Sequence, residues 1–225
     1  MPYIIERVKG GYYVANDETG RRYSKKPVSH VTAVAQRKAL YANSKEFRGG
    51  GFADEVVALQ ELLPIPMTDG QIHAVLGAGT KVIPYRETAK FRTIDDLLGP
   101  DGQVILLYEL KDKRGHWVAV FRHGRRVSVF DPLGIAIEKE KRFINPIYLA
   151  KSGQDEHYLG KLLLACPYTI EWNEYALQRN APGVNTCGRH CCVRLCYKEM
   201  DADEYAAMMT SGELTPDEVV CYALA

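Results

Sequence analysis

Three short apolar runs stand close together in the middle of the chain, at 104–110, 117–121 and 127–130. Runs of this length, rich in β-branched and aromatic residues, read as strands. The last two are joined across His123-Gly124-Arg125, which is a hairpin signal. Residues 81–83 read as a further short strand, and helical patterns lie on both sides. Residues 54–63 place Val56, Leu59, Leu62 and Leu63 on one face and are stopped by Pro64 and Pro66. Residues 68–76 have Thr68 and Asp69 as caps and Gly77 as a stop. Residues 93–98, 156–165 and 187–199 complete the helical set. Strands in the centre with helices before and after predict an α+β fold, with one mixed or antiparallel sheet flanked by helices.

Composition narrows the class. At 225 residues, 46% hydrophobic and 25% charged, the chain matches folded globular proteins. No apolar run reaches 18 residues, which argues against a membrane-spanning helix. The apolar start breaks at Glu6, so no secretion signal is expected. Without one, the six cysteines do not read as a disulfide scaffold. The net charge of +1 conceals an asymmetry: residues 1–48 carry +6 and residues 54–225 carry −5. The expected plan is a basic N-terminal arm (1–48), a Gly-rich hinge (49–53) and a main domain (54–225). In the arm, Tyr12-Tyr13-Val14 followed by Asn16, Asp17 and Gly20 reads as a hairpin, and 29–45 as a helix. The basic face is either solvated or a nucleic-acid contact.

Five of the six cysteines fall between Cys166 and Cys196, and that crowding asks for chemistry. His116 opens one strand of the central hairpin, and Asp131 closes the other. Antiparallel neighbours bring the start of one beside the end of the next, so the two residues are expected side by side. A carboxylate next to an imidazole is the pairing that a catalytic base needs. Cys187 begins a predicted helix, where the dipole and free N–H groups favour a thiolate. Gln178 lies upstream in a loop and can offer an amide N–H to a developing oxyanion. Together these residues make a cysteine-nucleophile acyl-transfer site.

The local motifs go further. Gly115-His116-Trp117, Phe130-Asp131-Pro132-Leu133-Gly134, Gln178 and Cys187-Gly188-Arg189-His190-Cys191-Cys192 together resemble the adenovirus-type (adenain-like) maturation cysteine proteases. These are related to the Ulp-type proteases that cut SUMO-like modifiers. The resemblance covers roughly residues 55–200 and implies the adenain/Ulp-like fold. It makes Cys187 the nucleophile, His116 the base and later acid, Asp131 the orienting group and Gln178 an oxyanion donor. Trp117 and Gly188 would flank the substrate site, Trp117 chiefly as a packing wall. Two departures stand out. The acid is Asp, as in the Ulp-type enzymes, and the nine-residue step from Gln178 to Cys187 is longer than the pattern implies. Asn180 and Asn185 are therefore competing amides.

The resemblance implies a viral endopeptidase that cleaves capsid or core precursors at glycine-containing sites in the virion or infected cell. Viral structural precursors would be its substrates, and no metal or organic cofactor is implied. Stimulation by DNA or a viral peptide is a family property, and the basic arm suits the first. That arm resembles modules of large double-stranded DNA viruses and their satellite viruses, the virophages. Phe47-Arg48-Gly49-Gly50-Gly51 resembles a cleavage sequence of the family, so the run is either a flexible hinge with no processing or a site of self-cleavage between Gly50 and Gly51. Two alternatives compete with this reading: an isopeptidase that removes ubiquitin-like modifiers, and a zinc module built on Cys187, His190, Cys191, Cys192 and Cys196. Cys191, Cys192 and Cys196 read more simply as small apolar residues of a buried helix. No partner is visible in the sequence for His190 or His157.

Overall fold

The computed structural model describes residues 2–44, 52–111 and 114–225. A five-stranded mixed sheet organises it, in the order β3 (Lys81–Pro84), β4 (Gln103–Lys111), β5 (Arg114–His123), β6 (Arg126–Phe130), β7 (Thr169–Trp172). The central strands β4, β5 and β6 are antiparallel, and β3 and β7 flank them in parallel pairings. The hairpin between β5 and β6 turns at Gly124, whose φ of +60° suits a residue without a Cβ. The fold is thus α+β with a mixed sheet flanked by helices.

Side chains alternate across the sheet, as strand geometry requires. Ile105, Leu107, Trp117, Ala119, Phe121 and Phe130 enter one core with α1 (His30–Ala42), α3 (Asp69–Leu76), α7 (Cys187–Cys196) and α9 (Pro216–Leu224). Val104, Leu106, Val118, Val120, Val127 and Val129 enter a second core with α4 (Ile94–Leu98) and α6 (Tyr158–Leu164). Each fully buried large apolar side chain contributes about 1.5–3 kcal/mol. A sheet buried on both faces is therefore a stiff platform, and its strand ends are well placed to hold reactive groups.

The helices begin where caps place them. Ser29 accepts from the Thr32 N–H at the head of α1, Thr68 and Gln71 form a capping box at α3, and Thr93 caps α4. Also present are α2 (Phe52–Leu62), α5 (Pro146–Lys151) and α8 (Ala202–Met209). In the N-terminal segment, β2 (Gly11–Asn16) pairs chiefly with β1 (Tyr3–Val8) across Lys9 and Gly10, and not forward across Asn16–Gly20 as expected. The forward turn exists too. Asn16 Oδ1 accepts from the Glu18 and Thr19 N–H groups, and the returning chain makes only isolated bridges. The glycine run at 49–51, with the expected cleavage point Gly50–Gly51, lies outside the described residues.

α7 is the axis of the first core, and all ten of its residues are buried. Cys191, Cys192 and Cys196 fill space there as small apolar groups. The buried Arg194 guanidinium sits between Phe121 and Tyr205, 4.7 Å from each ring centre, and donates to the Tyr197 and Met200 carbonyls. These contacts fix the helix lengthwise, so its first residue is held against the end of β5.

Candidate active site

The pairing of Ala119 with Phe130 leaves the start of β5 and the chain leaving β6 at the same end of the sheet. There His116 Nε2 lies 2.7 Å from Asp131 Oδ1. Oδ1 also accepts from the Leu133 N–H at 2.8 Å, while Oδ2 has no partner among the described residues. With Nε2 engaged by the carboxylate, Nδ1 is the ring nitrogen left for a thiol. Cys187, first residue of α7, supplies one: it lines the same cleft as His116, and the two side chains interact electrostatically.

Electrostatics favour a charged pair. Burial alone would push the imidazole toward neutrality. The bonds and charges of Asp131 and Cys187 outweigh burial and raise His116 to about 10. Burial likewise opposes a Cys187 thiolate, yet the His116 hydrogen bond and charge, with backbone bonds from Trp117 and Gly188, bring the thiol below its ordinary value. Cys191 and Cys192, with no such partners, are pushed well above theirs by burial. Of these three neighbouring thiols, Cys187 is the one shifted toward the thiolate.

The turn after β6 carries the rest. Gly134 donates its N–H to the Asp131 carbonyl at 2.9 Å and has φ +68°, and a Cβ there would lie 2.8 Å from Ala176 N and Tyr175 C. Only glycine lets the next segment lie this close. That segment is strapped down by Asn173 Nδ2, which donates to the Asp131 and Tyr175 carbonyls, and by the Gln178 N–H, which donates to the Pro132 carbonyl at 2.8 Å. Gln178 thereby reaches the same cleft as Cys187. Its amide makes one long bond, 3.4 Å to the Val184 carbonyl, and its Oε1 has no partner among the described residues. Asn185 is held by two bonds, Nδ2 to the Pro64 carbonyl and N–H to the Leu63 carbonyl. Asn180 is exposed at the cleft wall.

The cleft holds about 290 Å³ and is lined by His116, Gln178 and Cys187 together with the apolar Leu110, Leu133 and Phe143. Neither Trp117 nor Gly188 lines it. They pack together beneath it, and a Cβ at Gly188 would come within 3.2 Å of the Trp117 ring and 3.0 Å of Met67. The sequence reasoning missed Tyr108 and Glu140, both buried cleft residues whose hydroxyl and Oε2 lack partners among the described residues. Burial, aided by the Asp131 charge, raises Glu140 to about 8. Glu140 lies in the charged run Glu138–Lys141, where no local signal marks it.

Two histidines left without partners above have them. His190 is fully buried, with Nε2 3.1 Å from Asp217, and His157 Nδ1 lies 2.7 Å from Glu138. Among the described residues no group of three or more His, Cys, Asp or Glu side chains is arranged to hold a metal ion, and no helix is long and apolar enough to cross a membrane.

Compared with known proteins, the chain is 34% identical over 171 residues to protein V9 of Sputnik virophage, spanning 74% of this chain and 93% of the relative. No family model matches it.

Proposed function

The chain belongs to the family of the Sputnik virophage protein V9, and we propose, from its own site residues, that it is a viral cysteine endopeptidase of the adenain type that trims structural precursors during virion maturation. The observation that carries this reading is the line from Asp131 through His116 to Cys187, with the thiol at the head of a buried helix and facing a cleft. In this reading the Cys187 thiolate attacks the scissile carbonyl, and the developing oxyanion is met by the Cys187 backbone N–H and the Gln178 amide. The His116 imidazolium gives its proton to the leaving amine, and a thioester remains on Cys187. Neutral His116 then takes a proton from water, the resulting hydroxide equivalent attacks the thioester, and the thiolate departs as the acid product forms. Asp131 holds the ring by Nε2 throughout and stabilises its charged form.

The apolar wall of Leu110, Leu133 and Phe143 suits a hydrophobic substrate residue near the scissile bond, and glycine at the bond itself lets the substrate backbone approach the buried thiol. Incubating the protein with each structural protein of its source virus, and sequencing the new N-termini, tests the assignment. Discrete cleavages made by the wild-type chain and not by Cys187→Ala are expected. Release of a ubiquitin-like protein, with precursors left intact, would replace the maturation role with the isopeptidase one.

A further inference from the structure

Asp217 sits in the first turn of α9, thirty residues beyond Cys187, and is fully buried. A carboxylate in such a place needs donors around it. On Oδ1 it receives the Thr186 hydroxyl at 2.5 Å and His190 Nε2 at 3.1 Å; on Oδ2 it receives the Arg179 backbone N–H at 3.1 Å and Arg179 Nε at 3.2 Å. Each donor has a telling address. Arg179 follows Gln178, Thr186 precedes Cys187, and His190 lies one turn further along α7.

We infer that Asp217 is a positioning residue, a clamp that holds the loop of the oxyanion donor and the head of the nucleophile helix in fixed relation. The inference rests on the endopeptidase reading above. Bonding the Arg179 N–H fixes the peptide plane between 178 and 179, and so the point from which the Gln178 side chain departs. Bonding Thr186 has a second effect. A threonine at this position ordinarily turns its oxygen onto the first N–H groups of its own helix. Here the hydroxyl is turned to Asp217 and makes no cap bond, so the residue before Cys187 is tied to α9 instead of to its own helix. Burial works against the charge on Asp217, but the His190, Thr186 and Arg179 bonds keep its carboxyl below the ordinary range, so the clamp is an anion at neutral pH. Burial keeps His190 neutral, as a donor through Nε2.

A purely structural carboxylate would set stability alone. A clamp on the oxyanion donors sets turnover per folded molecule, because a displacement of about 1 Å can cost a hundredfold in rate. Asp217→Asn and Thr186→Val are measured on the cleaved precursor peptide, with active sites counted by iodoacetamide labelling of Cys187. Expected is a fall in kcat of roughly tenfold to a hundredfold with KM changed by less than about twofold. The rate and pH profile of Cys187 alkylation should stay near wild type, since alkylation needs the thiolate but no oxyanion hole. Thr186→Ser, which keeps the hydroxyl, should recover most of kcat. If Asp217→Asn does not fold, Thr186→Val decides, because it exchanges a hydroxyl for a methyl of similar size. Turnover by Thr186→Val within about twofold of wild type, or parallel loss of turnover and alkylation, overturns the clamp alone. A wild-type chain that cleaves no precursor overturns the endopeptidase reading and the clamp with it.

Discussion

At the scale of single residues, Cys187 and Cys191 lie one helical turn apart on α7, both are buried, and their partners separate them. Cys187 has His116. Cys191 meets backbone instead, with the Trp117 carbonyl 3.4 Å from its sulfur. Cys187→Ala should therefore abolish turnover and leave stability nearly unchanged. Cys191→Ala should keep most activity and lose up to about 2 kcal/mol in denaturant titration. The pH profile of iodoacetamide labelling should place the Cys187 thiol below the free value of about 8.5 in the wild-type chain, and His116→Ala should return it upward. Glu140 titrates in the opposite sense to most carboxyls. The folded state holds its proton up to about 8, whereas the unfolded chain releases it near the ordinary 4.5. Between those values the folded state binds more protons, so this group lowers stability as pH rises through the window. Glu140→Gln removes the effect, and its stability gain over wild type should be larger at pH 8 than at pH 5 by on the order of a few kcal/mol. Equal gains at the two pH values in urea titrations would mean that Glu140 is ionised in the fold throughout.

At the scale of elements, the turn from Asp131 to Gly134 is the joint on which the site depends, because the segment leading to Gln178 lies across it. Gly134→Ala introduces both an unfavourable φ and a contact under 3 Å with backbone. It should cost on the order of 2 kcal/mol and lower turnover as well, by lifting the oxyanion loop. Unchanged turnover in the folded variant would show that the loop is held from α9 alone. The central strands and the capped helices were legible because their signals are local. Apolar runs mark β4, β5 and β6, and Ser29, Thr68 and Thr93 stand at the helix heads. The juxtaposition of His116 with Asp131 was legible for the same reason, since a tight hairpin fixes what lies at its open end. β7 was not, because a four-residue edge strand with two exposed positions shows no clear alternation. α8 and α9 do carry local signals, the capping boxes Asp201/Glu204 and Thr215/Glu218. The role of Asp217 is invisible without the fold, since its donors come from 179, 186 and 190.

At the scale of the whole molecule, the basic N-terminal segment is bound into the main core. Val14, Ala33, Ala35, Ala39 and Leu40 are buried there, and the buried Gln36 donates to the Cys196 carbonyl at 2.6 Å while its own carbonyl accepts from the Tyr197 hydroxyl. Lys38 reaches the Ala225 carbonyl at 2.9 Å. Charge asymmetry pointed to an arm, whereas the alanines of α1, weakly apolar one by one, form a helix face that packs on α9. A chain lacking residues 1–44 should therefore melt well below the intact protein. A chain cut between Gly50 and Gly51 should keep its two pieces together in size-exclusion chromatography. Separation of the pieces under native conditions would contradict this packing. In the proposed function, the thiol of Cys187 is the group that accepts the acyl half of a cleaved precursor. Intact-mass spectrometry of an acid-quenched turnover mixture reads that event directly. A mass increment equal to the acyl fragment less water is expected, mapped to Cys187 in the wild-type chain and absent from Cys187→Ala. Precursor cleavage that proceeds unchanged in Cys187→Ala, with no adduct on either chain, would contradict it.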